Sequence, residues 1–267
     1  LRPSKVLTRE AFLNAIRLVS AVGGSSNAQP HIMAMAAHAG VDLTARDWVE
    51  YGYDLPLILN MQPAGAYLGE RFHRAGGVPA ILHELIVSGH LDGDCFTVTG
   101  KSIAENVAGR ETNDREMIRT VAQPLREKAG YLVLSGNLFD FGILKTSVIS
   151  EDFRRRYLSR PGEENIFEAK AVVFDGSDDY HHRINDPSLG IDENTILVIR
   201  GAGPIGWPGS AEVVNMQPPD ALIRQGSTRF PRWATGGSRE RRTAPRSSMS
   251  PPKARWAAAS HGCATGI

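Results

Sequence analysis

The run RGAGPIGWPGSAEVVNM, residues 200–216, constrains the fold of this chain most strongly. It follows the apolar segment TILVI and contains four glycines, two prolines and one acidic residue, Glu212. Its first three glycines fit the GxGxxG pattern of a dinucleotide-binding loop. Such a loop must open a helix whose first amides face the phosphates, and the two prolines lie where those amides and first helical turns should be. The run therefore predicts a rigid backbone loop followed by one carboxylate.

Residues 1–90 alternate between helical and strand-like patterns. Thr8 is a suitable N-cap for a helix over about 8–22, and a second helix is predicted from Pro30 to His38. The segment LPLILN, residues 55–60, has the apolar character of a buried strand. The sequence thus predicts an α/β domain for this part of the chain.

From about residue 91 the pattern changes to short apolar runs separated by Gly, Asp and Asn turns. Alternating and β-branched residues in such runs are typical of strands. We therefore expect a second, strand-rich domain over residues 91–226. The runs that carry this prediction are FTVT, GYLVL, GILKTSV, KAVVF and TILVI.

A polar turn separates the two predicted N-terminal helices. It contains Ser25, Ser26 and Asn27, which follow a pair of glycines. Free amides and hydroxyls between a helix end and a helix start can bind an anionic group. The same residues also serve as ordinary helix caps, and the pattern alone favours capping slightly.

Composition places the chain among globular proteins. Its hydrophobic content is 42%, and no uninterrupted apolar run approaches the length of a membrane span. Its two cysteines, Cys95 and Cys263, lack the spacing of a metal or redox pair. We expect a cytoplasmic protein that binds neither nucleic acid nor membrane.

The composition changes abruptly after Gly226. Residues 227–267 contain seven Arg, one Lys and a single acidic residue, whereas residues 1–226 contain 22 basic and 28 acidic residues. No apolar period continues into this tail. One interpretation is a disordered basic tail, and another is an arm that binds nucleic acid or an anionic surface.

Several segments, in order and spacing, resemble the dihydroxy-acid and sugar-acid dehydratase family. The resemblance covers residues 1 to about 226 and is strongest to the aldonate branch, which acts on sugar acids such as L-arabinonate or D-xylonate. It is carried by GGSSNAQPHIMAMAAHAGV, QPAGAYLGERFHRAGGVPAILHEL, TVTGKSIAEN, LSGNLFDFGILK, FEAKAVVFDGSDDYHHRIND and the Gly/Pro loop.

The resemblance implies a hydro-lyase that converts an aldonate into a 2-keto-3-deoxy acid. Family members carry an iron–sulfur cluster on three cysteines and bind Mg²⁺ through carboxylates and a modified lysine, while a serine in a GDGRQSG motif acts as base. Glu212 matches the metal-binding glutamate, although its residue pattern alone favours a surface glutamate that closes a turn. At Ser25, Ser26 and Asn27 the resemblance favours substrate binding over simple capping. Residues 1–90 would then be the C-terminal part of the cluster-binding α/β domain, and residues 91–226 an incomplete swivelling β-barrel-like domain. The family resemblance also implies a homo-oligomer.

The tail has a third interpretation. Codons for residues 227–267, translated one nucleotide earlier, can spell VDALPALGDGRQSGTADSPSILN, which contains the serine motif. On this frameshift hypothesis the serine position is occupied by Arg239, whose guanidinium stays protonated and cannot act as a base. Because the cluster cysteines are expected upstream of Leu1, we also expect the chain to be a fragment. The alternative to an enzyme is a non-catalytic relic or binding module that retains the folded β-rich domain.

Overall fold

A computed structural model describes residues 2–136, 139–163, 166–200, 216–226, 232–234, 246–248 and 256–257. The chain divides into two compact units, Leu1–Leu132 and Val133–Ile267. Its α-helices are α1 (Arg9–Ala21), α2 (Ala28–His38), α3 (Ala45–Gly52), α4 (Gly69–Arg74), α5 (Gly77–Val87), α6 (Ile103–Val107), α7 (Glu151–Tyr157), α8 (Gly176–Arg183) and α9 (Asp220–Arg224). Its strands are β1 (Tyr131–Gly136), β2 (Phe139–Lys145), β3 (Ile166–Phe167), β4 (Lys170–Asp175), β5 (Thr195–Arg200), β6 (Arg232–Ala234), β7 (Arg246–Ser248) and β8 (Trp256–Ala257).

The first helices begin and end where local sequence signals predict. The Thr8 side chain accepts a hydrogen bond from the Ala11 amide, at 3.3 Å, and so caps α1. Helix α2 includes Pro30 in its first turn, and Gly40 takes the left-handed conformation after its end, with φ of 72°. The helix predictions for this region are confirmed.

The core of the first unit lies between α5 and the segment 55–60. Ile58, Ile81 and Leu85 are fully buried, as are Met117 and Ile118 from a later loop. Segment 55–60 is buried as predicted, but it pairs through isolated bridges to Arg126 and Ile118 and forms no continuous strand.

Residues 91–130 belong to the first unit, although the sequence pattern assigned this segment to the second domain. The backbone amides of Leu57 and Asn60 donate to the carbonyls of Arg126 and Met117, both at 2.9 Å. The prediction of a strand at FTVT is wrong. In this segment Phe96 forms an isolated bridge with Ser102, and the residues between them form a turn. These contacts join residues far apart in the sequence, which local pattern cannot detect.

The second unit contains a mixed sheet with the described strand order β1-β2-β7-β6-β5-β4. β4 and β5 are parallel over their whole lengths, β6 continues the parallel arrangement, and β7 pairs antiparallel with β2. β5 is buried on both sides, because Leu197 and Ile199 pack with Phe174 while Ile196 and Val198 face a second cluster. Such burial explains its continuous apolar sequence.

Three short strands, β6, β7 and β8, lie within residues 227–267, where the composition predicted no regular structure. β6 and β7 join the mixed sheet, and β8 pairs with β3. The other residues of this tail, Arg239 among them, lie outside the described residues. The two compact units are defined by contacts and not by family domains, so the domain limits predicted at residues 90 and 226 stay predictions.

Candidate functional site: the turn between α1 and α2

The backbone of the Gly23–Asn27 turn is fixed against the end of α1. The amides of Gly23 and Gly24 donate to the carbonyls of Ser20 and Val19, at 3.0 and 2.8 Å. Gly23 is left-handed, with φ of 60°. A Cβ on Gly24 would lie 2.9 Å from Val19 Cγ1, so the chain can pass this close to α1 only without a side chain.

Ser25, Ser26 and Asn27 lie together on this turn, as the sequence predicted. Ser25 is exposed, Ser26 is half-buried and Asn27 is buried, with 8% of its surface exposed. Ser25 Oγ accepts a hydrogen bond from the Asn27 amide at 3.2 Å, while Ser25 O accepts from the Ala28 amide at 3.0 Å. The turn is therefore closed by its own serine.

The alternative prediction, that these residues only cap α2, agrees with the structure in part. Asn27 occupies the N-cap of α2, but its side chain makes no capping hydrogen bond. Its Oδ1 atom is buried and accepts no hydrogen bond from the described residues. An unsatisfied buried acceptor is uncommon and calls for an explanation, which a functional site can supply.

The N-terminus of α2 favours negative charge. Its first turn contains no acidic residue, and the helix is 11 residues long, so the partial positive charge at its start is not neutralised locally. Within the described residues, the amides of Ser25 and Ser26 donate no hydrogen bond. Amides and hydroxyls in this arrangement can bind a carboxylate.

Tyr131 contacts this turn from a distant part of the sequence. Its hydroxyl donates a hydrogen bond to Gly24 O, which precedes Ser25 in the chain. The ring is 1% exposed and stands edge-on to Trp48, with centroids 5.4 Å apart and planes at 89°. Sequence reasoning missed Tyr131, because 107 residues separate it from Gly24 and no local signal links them.

Cys95 does not have the properties of a cluster ligand. It is 7% exposed, and burial, followed by the nearby Asp92 and Glu10 carboxylates, raises the pKa of its thiol to about 11. Its sulfur accepts a hydrogen bond from Asn14 Nδ2 at 3.3 Å. Metal ligation requires a thiolate, so this environment favours an inert structural cysteine.

The described residues do not fit an iron–sulfur cluster or a magnesium ion. Across the described ranges, no three His, Cys, Asp or Glu side chains converge in a way that could hold a metal. Glu212, the predicted magnesium ligand, and Arg239, at the predicted serine position, both lie outside the described residues.

Arg71, Asp114 and Glu116 form a network of ion pairs with a structural role. Arg71 binds Asp114 through two hydrogen bonds, at 2.7 and 3.1 Å, and Glu116 through a third, at 2.7 Å. The hydrogen bond from Arg71 is the main reason that the pKa of Asp114 lies below its usual value. The guanidinium also lies 3.8 Å from the centroid of Tyr67. This network joins α4 to the loop at residues 114–116, and its charges are paired with one another.

Comparison with known proteins places these features in a family. Residues 1–106 match the model described as dihydroxy-acid/6-phosphogluconate dehydratase N-terminal, and residues 116–234 match the corresponding C-terminal model. The chain belongs to the dihydroxy-acid/6-phosphogluconate dehydratase family. No helix among the described residues has the length and apolar character needed to cross a bilayer.

The aldonate branch provides several similar proteins. The chain is 67% identical over 235 residues to the D-xylonate dehydratase of Caulobacter vibrioides, an alignment that covers 88% of this chain and 39% of that protein. It is 40% identical over 227 residues to an L-arabinonate dehydratase of Rhizobium leguminosarum bv. trifolii, and 42% identical over 225 residues to an L-arabonate dehydratase of Azospirillum brasilense. These alignments cover 85% and 84% of this chain and 37% of each relative, so the chain spans about two fifths of their length.

Proposed function

We propose that this chain is part of a hydro-lyase that removes water from a sugar acid and yields a 2-keto-3-deoxy acid. The observation that carries the proposal is the 67% identity to a D-xylonate dehydratase, which exceeds the 35–37% identity to several dihydroxy-acid dehydratases. Within the aldonates, D-xylonate is the proposed substrate.

The Gly23–Asn27 turn is the proposed binding site for the carboxylate of the sugar acid. Support comes from the Ser25 and Ser26 amides, which donate no hydrogen bond within the described residues, and from the N-terminus of α2 beside them, whose first turn contains no acidic residue. Asn27, whose buried Oδ1 lacks a donor among the described residues, is the proposed partner of a substrate hydroxyl.

Glu212 is the proposed magnesium ligand, on the basis of the family resemblance. A glutamate carboxylate is a hard oxygen donor of the type that Mg²⁺ prefers. The iron–sulfur cluster is likewise proposed from the family, with ligands other than the described residues. A homo-oligomeric, cytoplasmic enzyme is the setting that the family implies.

The second unit is proposed to correspond to the swivelling β-barrel-like domain of the family. The mixed sheet of β1, β2 and β4–β7 supports this correspondence, as does the C-terminal family model, which begins at residue 116. The proposed domain therefore overlaps the unit that begins at Val133.

The experiment uses the whole enzyme of which this chain is proposed to be part and three acids: D-xylonate, L-arabinonate and a branched-chain 2,3-dihydroxy acid. Formation of 2-keto acid is measured as its semicarbazone. We expect the highest kcat/KM with D-xylonate. Preference for the branched-chain acid, or no turnover of any of the three by the metal-loaded enzyme, would contradict the proposal.

Ser25→Ala tests the role of the turn in the same enzyme. The KM for D-xylonate should rise about tenfold, which corresponds to ~1.4 kcal/mol of lost binding. Ser159→Ala is the matched control, because Ser159 is an exposed serine whose hydroxyl bonds Arg154 O at 3.0 Å in the second unit. An equal change in KM for both variants would show that the turn is not part of the substrate-binding site.

A further inference from the structure

We infer that Tyr131 is a positioning residue that orients the Ser25 amide toward an anionic ligand. The inference rests on the proposed role of the Gly23–Asn27 turn. The Tyr131 hydroxyl acts on the peptide between Gly24 and Ser25 and does not itself contact the ligand.

The geometry of one peptide plane supports this role. The carbonyl of Gly24 and the amide N–H of Ser25 belong to the same trans peptide, so they point in opposite directions. The Tyr131 hydroxyl donates to that carbonyl. The hydrogen bond therefore fixes the direction of the Ser25 N–H, which points away from Tyr131.

Tyr131 is itself held rigidly. Its ring is buried against Trp48, which is fully buried, and the residue before it, Gly130, lies against the end of α3. A Cβ on Gly130 would lie 1.8 Å from Gly52 O, so the chain reaches this position only as glycine. Because the ring is fixed, its hydroxyl has a fixed position. The Ser25 amide is therefore oriented before a ligand binds, and its orientation costs little free energy on binding.

Among the described residues of the turn, none holds the peptide plane between Gly24 and Ser25, because the Gly24 amide and the Ser25 carbonyl, which are bonded to Val19 O and the Ala28 amide, belong to the neighbouring peptides. Gly23 and Gly24 have no side chains, and Ser25 Oγ is committed to the Asn27 amide. Glycine permits many backbone conformations, so a peptide between Gly24 and Ser25 can rotate unless something holds it. Among the described residues, the Tyr131 hydroxyl is the group that holds the Gly24 carbonyl.

The experiment measures binding of D-xylonate to the 267-residue chain by NMR, with xylitol as the analogue that lacks the carboxylate. In the unaltered chain, D-xylonate should shift the Ser25 amide resonance and xylitol should not. Tyr131→Phe keeps the ring against Trp48 and removes the hydroxyl. We expect its affinity for D-xylonate to fall at least about fivefold, with the far-ultraviolet circular dichroism unchanged.

Tyr157→Phe is the matched control. Its hydroxyl also donates to a backbone carbonyl, Glu193 O at 2.8 Å, but lies in the second unit. It should bind D-xylonate like the unaltered chain. Equal affinity of Tyr131→Phe and the unaltered chain would overturn the inference alone, whereas no binding by the unaltered chain would overturn the proposed role of the turn and the inference with it.

A measurement on the unaltered chain tests the same link without a variant. Replacing the hydroxyl proton of Tyr131 with deuterium should shift the Gly24 carbonyl-carbon resonance, because the two groups share a hydrogen bond. Absence of this isotope shift would contradict the inference even if Tyr131→Phe fails to fold.

Discussion

The Asp47 carboxylate accepts hydrogen bonds from both the backbone amide and the hydroxyl of Thr44, at 2.7 and 3.1 Å. Arg9 also donates to this carboxylate, which is 5% exposed. Burial raises the pKa of Asp47, but the hydrogen bonds from Thr44 and Arg9 outweigh it, so the pKa lies below its usual value. The ionised carboxylate thus fixes the start of α3.

Stability should therefore decrease in acid through Asp47. Because its pKa is lower in the folded than in the unfolded chain, its contribution is complete above the unfolded value, about 4, and is lost as the pH falls through the folded value. Asp47→Asn should lower the free energy of unfolding by ~1 kcal/mol at neutral pH and by less in acid. Urea unfolding of both proteins at several pH values measures this. A difference that does not shrink in acid would contradict the assignment.

Gly65 should not tolerate a side chain. A Cβ there would lie 2.4 Å from the Asn60 carbonyl carbon and 2.5 Å from the Met61 nitrogen, both of them backbone atoms. Gly65→Ala should cost about 1–3 kcal/mol, because the loop must shift. Gly69→Ala is the control, since its nearest atom would be Met61 Sδ at an ordinary 3.8 Å. Equal urea midpoints for the two variants would show that the loop yields easily.

The Tyr180 hydroxyl links α8 to the chain that follows the Gly/Pro loop. It donates to Gln217 O at 3.0 Å and accepts from the Gln217 amide at 2.5 Å. Tyr180 is 3% exposed and stands edge-on to Phe174. Tyr180→Phe preserves that packing and should lower the free energy of unfolding by about 1–3 kcal/mol. Hydrogen exchange of the Gln217 amide should accelerate; unchanged protection would mean that the amide does not depend on this hydroxyl.

Local signals predicted the elements that depend on neighbouring residues. Thr8 was predicted as a helix cap from its position at the start of the first helical pattern, and the structure confirms it. The apolar runs KAVVF and TILVI predicted the strands β4 and β5. Such features could be predicted because their partners lie within one turn or along one strand.

Long-range contacts could not be predicted in this way. The loop after residue 91 joins the first unit through backbone hydrogen bonds to residues 55–60, and Tyr131 meets Gly24 across 107 residues. The sequence identified the polar turn as a candidate site but gave no indication of the group that holds it. Backbone acceptors such as Gly24 O carry no sequence signature, since every residue has one.

The purified 267-residue chain should contain no iron–sulfur cluster. It has two cysteines, and Cys95 is a buried thiol whose raised pKa opposes the thiolate that iron requires. After anaerobic reconstitution with iron and sulfide, we expect a colourless protein without bound iron and without formation of 2-keto acid from D-xylonate. The whole enzyme of which this chain is proposed to be part, treated in parallel, should become brown and active. Stoichiometric iron in the shorter chain, retained after Cys263→Ser but lost on Cys95→Ser, would show that Cys95 becomes a ligand and that burial does not keep it inert.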